Sequence, residues 1–202
     1  MARLFGRFGL VALVLLVVAP AALAIVEPDT ETEYPDTITL TAGDTSYGLK
    51  ATGVGLREKT FLKVDVYTIV SYADAAADLG DDPANALVEQ DIAKRIQMNL
   101  RRGFSREKLV NSFSEVIDKN YDDTSAFDAD RETFLAYFDR DAQENDTLVF
   151  DYAPGRGLRT VLNGEVKGTI MNPAMAQALW TVWFGAKPAD KGLRSALVSA
   201  VD

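Results

Sequence analysis

The chain has 202 residues with no cysteine and no histidine, so it can form no disulfide and lacks the commonest general base, the thiol nucleophile and the usual zinc ligands. Its 30 acidic residues outweigh 21 basic ones, for a formal charge of −9, and a surface of that sign repels phosphate backbones, so no nucleic acid partner is expected. Any chemistry must come from Arg, Lys, Tyr, Asp, Glu, Ser or Thr, and neither a cofactor nor a metal is expected.

Residues 1–24 read as a signal peptide. Arg3 and Arg7 supply the positive start, Leu10 to Val18 is an unbroken apolar run, and Ala22-Leu23-Ala24 gives a small-x-small cleavage site before Ile25. The run falls short of the roughly 18–20 residues of a spanning helix, so no transmembrane segment is expected after cleavage. With no cysteine for a lipid anchor, the mature protein is expected in the periplasm or secreted. What remains suffices for one domain with a proper core.

Residues 25–36 form an acidic, proline-bearing leader, expected to lie loosely over a domain spanning 37–202. From Thr37 to Tyr72 three β-rich runs follow, broken at Gly43-Asp44 and at Glu58-Lys59. In the second run Arg57 interrupts an apolar pattern. An unbroken strand would aim Arg57 at the same face as Tyr47, Leu49, Ala51, Gly53 and Gly55. A buried, unpaired guanidinium costs on the order of several kcal/mol, so Arg57 calls for a protein carboxylate or an anionic ligand. The alternative is an edge arginine turned to solvent by a bulge at the glycines. In the third run Val64, Val66, Thr68, Val70 and Tyr72 share one face, with Tyr67 and Ile69 on the other. Lys63 and Tyr72 are weaker site candidates, a lysine at a strand start being usually solvated and a tyrosine on an apolar face usually core.

Asp81-Asp82-Pro83 starts a short helix, and Ile92, Ile96, Met98 and Leu100 mark a further strand. Ser105 can cap a helix carrying Leu109, Phe113, Val116 and Ile117 and ending near Asn120. Phe127 to Asp139 makes a second helix. The acid-rich stretch from Asp118 to Asp146 lacks the glycine and glutamate of a calcium loop and reads as a solvated face. Thr147 to Tyr152 is a strand, and Asn163-Gly164 closes a hairpin between Arg159–Leu162 and Glu165–Ile170. Asn172 caps and Pro173 opens a helix with Met175, Leu179, Val182 and Trp183, stopped at Gly185. A last short helix carries Leu193, Leu197 and Val198.

Together, Gly53-Val54-Gly55-Leu56-Arg57-Glu58-Lys59, Asp65-Val66-Tyr67, Phe104-Ser105-Arg106-Glu107-Lys108-Leu109, Tyr152-Ala153-Pro154-Gly155, Asn163-Gly164 and Trp183-Phe184-Gly185 resemble the chalcone isomerase-like family. The resemblance runs from about Thr37 to the C-terminus. It implies an α+β fold, the open-faced β-sandwich of chalcone isomerase type, in which helices cover one face of an antiparallel sheet around a ligand cleft. In the family's isomerases an arginine binds the flavonoid, a threonine on the next strand polarises the ketone, and a tyrosine and an asparagine on the following helix complete the site. Arg57 matches the arginine, but Tyr67 stands at the threonine position. Ser105 or Phe104 falls at the tyrosine, Ser112 at the asparagine with Asn111 adjacent, and Thr181 lies one residue from a late threonine position aligned with Val182. These departures count against flavanone cyclisation.

In the family's fatty-acid-binding members an arginine and a tyrosine hold the ligand carboxylate, and Arg57 and Tyr67 match both. A guanidinium takes a carboxylate bidentately and a phenol donates a further hydrogen bond. At about 0.8 kcal/mol per buried methylene, on the order of ten methylenes contribute roughly 8 kcal/mol before association costs. Three readings follow: a periplasmic, non-catalytic carrier of a small amphipathic carboxylate such as a fatty acid; an isomerase or intramolecular lyase on a chalcone-like enone, with Tyr67 as general acid; or a ligand-free interaction module with Arg57 paired to Asp65 or Glu58. Candidate ligand-binding residues are Arg57, Tyr67, Thr181, Ser105, Asn111 and Ser112. The sequence assigns no oligomeric state.

Overall fold

The computed structural model describes residues 23–59 and 64–201. The apolar run proposed as a signal and Lys63 lie outside the described residues. Strand β1 (Ala24–Glu27) pairs with β2 (Thr32–Pro35) in a hairpin. The acidic leader is therefore built rather than loose. Tyr34 is only 2% exposed, and its hydroxyl shares a 2.7 Å hydrogen bond with Thr68. Burying that ring is what holds the segment down, a tie that its acidic, proline-bearing composition hides.

Seven further strands pair antiparallel in chain order: β3 (Thr37–Ala42), β4 (Thr45–Lys59), β5 (Val64–Asp74), β6 (Lys94–Leu100), β7 (Thr147–Ala153), β8 (Gly157–Leu162) and β9 (Glu165–Ile170). Asn163 and Gly164 take φ of 51° and 81° between β8 and β9, the left-handed pair that a two-residue hairpin requires. Helix α1 (Pro83–Glu89) joins β5 to β6, and α2 (Arg106–Asn120) and α3 (Asp128–Ala136) join β6 to β7. After β9 come α4 (Pro173–Phe184) and α5 (Lys191–Ala196). The expected caps are present: Ser105 accepts from the Lys108 amide, and Asn172 from the Ala174 amide.

The sheet curls, so that the β3–β4 turn reaches the β7–β8 turn and Leu40 shares a cavity with Arg159 and Thr169. Its outer face carries the main core, in which Ile69, Ile96, Met98 and Phe150 meet Phe113, Leu179 and Trp183 of the helices. Its inner face carries a smaller one, with Leu40, Leu49, Ala51, Val70 and Tyr72 packed beside Tyr34. Tyr72 is core there, its hydroxyl donating to the Pro35 carbonyl at 3.0 Å.

The β4 register corrects the parity expected for Arg57. Ala51 pairs with Tyr72 but Gly53 with Ser71, so Thr52 is the extra residue of a bulge. Leu49 and Ala51 stay on the inner face, while Gly53, Gly55 and Arg57 turn outward to the helices. The bulge occurs as the edge-arginine alternative requires, yet it delivers Arg57 to the helical layer and not to open solvent.

Candidate ligand cleft

Two glycines let α5 lie on β4. A Cβ at Gly53 would sit 2.2 Å from the Ala196 carbonyl oxygen, and one at Gly55 2.6 Å from Leu193. At Gly53 the obstacle is backbone, so no larger residue admits the helix at that approach, whereas at Gly55 it is the end of a side chain that can yield. The Thr52 hydroxyl donates to the Leu197 carbonyl at 2.8 Å, fixing the far end of the helix. At its near end Asp190 is the N-cap, with Oδ1 accepting from the Leu193 amide at 2.9 Å.

The other oxygen of Asp190 meets Arg57. Arg57 NH1 donates to Asp190 Oδ2 and to the Glu58 backbone carbonyl, both at 2.7 Å. The internal acid of Arg57 is thus Asp190, and neither the Asp65 nor the Glu58 carboxylate. With side chains 25% and 35% exposed, the pair contributes at most about 1 kcal/mol.

Tyr67 faces Arg57 directly across the β4–β5 ladder. Its ring is buried, and Trp183 Nε1 donates to its hydroxyl at 3.3 Å. Burial pushes the phenol pKa up to about 12, against the lowering effect of the Trp183 bond and of Arg57. Tyr67 is therefore a neutral phenol. Because its oxygen accepts from Trp183, its own proton remains available to a second acceptor.

A cavity of about 260 Å³ opens beside this pair, between strands β4 to β6 and helices α2 and α4. Met98, Leu100, Phe113, Val116 and Trp183 give it apolar walls. Phe113 is held by four rings, with centroids 5.5 Å from Phe134, 5.4 Å from Phe138, 5.8 Å from Phe150 and 6.3 Å from Trp183. Among the described residues, the charged members of the lining are Arg57, Lys59, Lys108 and Lys119 against the single acid Glu115. On so acidic a chain, that is a local reversal of sign.

Of the residues singled out from sequence, Arg57, Tyr67 and Ser112 line this cavity. Ser105, Asn111 and Thr181 do not. The Ser105 hydroxyl is occupied as the α2 cap, Asn111 projects to solvent, and the Thr181 hydroxyl donates to the Ala178 carbonyl at 2.7 Å within its own helix. Their sequence neighbours Phe104, Ser112 and Val182 reach the space instead. Sequence reasoning missed Lys108, Glu115 and Lys119, whose spacing with Ser112 repeats every three or four residues and so marks one face of a helix. It also missed Asp190, whose only local signal is a capping position three residues before Leu193.

An antiparallel sheet with helices over one face and a cleft beneath them is the open-faced β-sandwich. The model of chalcone isomerase-like proteins matches residues 30–199, and the chain belongs to the chalcone isomerase-like family. Among solved structures, a fatty-acid binding protein of Arabidopsis thaliana has the same fold, with a TM-score of 0.68 and 24% identity over 89% of this chain and 100% of that one. No curated protein matches the sequence.

Proposed function

We propose that this protein is a non-catalytic carrier of a small amphipathic carboxylate, a fatty acid of short to medium chain, and that it works in the periplasm after removal of residues 1–24. The observation that carries the reading is the cross-strand pair Arg57 and Tyr67 on the wall of an otherwise apolar cavity. Arg57 NH1 is engaged, but among the described residues its Nε and NH2 make no hydrogen bond and can take a carboxylate. The neutral Tyr67 phenol can donate to the same anion, and the surrounding lysines favour a negative ligand. The Arabidopsis fatty-acid binding protein lends support through the shared fold. The volume of about 260 Å³ is just below the roughly 300–1,000 Å³ of small-molecule sites, which favours a chain of modest length.

The test is titration of the purified protein with decanoate, followed by calorimetry, beside the Arg57→Ala variant. Micromolar binding lost in the variant, with stability lowered by no more than the roughly 1 kcal/mol of the Asp190 pair, is the expected result; equal affinity in both proteins would remove Arg57 as the anchor. Turnover of a chalcone above its uncatalysed rate, seen as an absorbance change, would favour the isomerase reading instead. Mass spectrometry of the exported protein checks the location, since processing after Ala24 leaves Ile25 as the first residue.

A further inference from the structure

The inner face of the sheet, across from the ligand cleft, holds a second concentration of charge that a carboxylate carrier does not use. Asp151 of β7 is 3% exposed and lies between two guanidinium groups. Register places Arg95 of β6 and Arg159 of β8 directly opposite it on either side. Arg95 donates through Nε and NH2, the latter at 3.0 Å, and Arg159 through NH2 at 2.7 Å and Nε at 3.2 Å. The carboxylate is saturated, and one positive charge is left over.

A third guanidinium joins them from the β7–β8 turn. Arg156 lays its head over the β3–β4 turn, with Cζ and NH1 each 3.0 Å from where a Cβ on Gly43 would stand. Any side chain at position 43 would push it away. Among the described residues the Arg156 guanidinium has no hydrogen bond or ion pair, and Asp44, next to Gly43, forms none with it. Arg156, Arg159, Asp151, Gly43 and Thr169 line a cavity of about 210 Å³.

We propose that this cavity is a binding site for a phosphate-type oxyanion, either free phosphate or the head of a phospholipid. Arg95, outside the cavity lining, offsets the Asp151 carboxylate, which leaves the charges of Arg156 and Arg159 in the lining; a phosphate dianion neutralises both and a monocarboxylate only one. Guanidinium groups approaching from a turn, Arg156, and from a strand, Arg159, suit a tetrahedral ligand with several acceptor oxygens. Asp151 holds Arg159 in place, so the site needs little ordering when the anion arrives. A cleft of net positive charge concentrates anions even where the chain as a whole repels them. The site lies on the opposite face of the sheet from Arg57 and does not depend on what fills the outer cleft.

The experiment is titration of the purified protein with inorganic phosphate at constant ionic strength, with chloride as control, read from the backbone amide shifts. Shifts centred on Gly43, Arg156 and Thr169 are expected, with the affinity reduced at least fivefold in Arg156→Gln. Arg156 is exposed and unpaired, so that variant keeps its unfolding midpoint. The variant Arg102→Gln, an equal loss of charge at an exposed position outside the cavity lining, is expected to bind phosphate as before. Tighter binding of lysophosphatidate than of phosphate, also lost in Arg156→Gln, would identify the head group as the source, and equal binding the free anion. No shift beyond the chloride control, or the same loss in Arg102→Gln as in Arg156→Gln, overturns the proposal.

Discussion

Asp190 stands where a ligand carboxylate would have to stand to reach Arg57 NH1, so the two compete for one guanidinium. Asp190→Asn removes the competing charge, and asparagine is an equally good N-cap, so α5 keeps its start. Decanoate affinity is expected to rise severalfold in this variant, read by the same calorimetric titration; a fall would mean that Asp190 orients Arg57 for the ligand. Tyr67→Phe removes one donor to an anion, typically about 1.5–3 kcal/mol, and is expected to weaken decanoate binding about tenfold or more. The titration of that variant reads the effect, provided its unfolding midpoint is checked. At this scale the need of Arg57 for an anionic partner was legible, because the cost of an unpaired charge is a property of the side chain. Its identity was not, since Asp190 is 133 positions away and nothing local links the two.

The glycine pattern of β4 takes its meaning from α5. Gly53 and Gly55 read as possible bulge points, and a bulge does fall beside them, at Thr52, but their own role is to let a helix touch the strand. Gly53→Ala drives a methyl group into the Ala196 carbonyl and is expected to cost about 1–3 kcal/mol, as overpacking does. Urea unfolding measures that cost, and an unchanged midpoint would show that α5 can slide away freely. Shifting α5 also shifts Asp190, so the same variant should alter the decanoate affinity. Helix α2 was legible almost to the residue, from Ser105 to Asn120, because its cap and apolar spacing are local. Which of its residues face the cleft was not legible, because that depends on how the helix is rotated on the sheet. A rotation of one position exchanges Asn111 for Ser112.

For the molecule as a whole, the shifted groups predict the pH dependence of stability. Burial tends to raise the Asp146 pKa, but hydrogen bonds from Arg140, the Gln143 amide and Asn163 outweigh it and hold the carboxyl at about 2. Its contribution, on the order of 2 kcal/mol, is present above the unfolded value and is lost as pH falls from about 4 toward 2. Burial pushes Lys94 down to about 8, although it donates to the Leu87 and Gln90 carbonyls at the end of α1. Between pH 8 and about 10 the unfolded chain holds more protons at this lysine, so stability rises there. Burial pushes Tyr34, Tyr67 and Tyr72 up to about 12, so above pH 10 the unfolded chain ionises first and stability falls. Urea unfolding from pH 2 to 11 should show a rise, a plateau free of histidine titration, a second rise and a final fall; a drop between pH 8 and 10 would contradict the role given to Lys94. The sequence by itself determined the α+β meander, its turns and caps and the presence of an anion-seeking arginine, because each rests on interactions among residues close along the chain. Only the tertiary structure decided which face Arg57 takes, which acid meets it and that Tyr34 ties the leader to the sheet. Those outcomes depend on one extra residue in a strand and on contacts between distant segments, which no local pattern encodes.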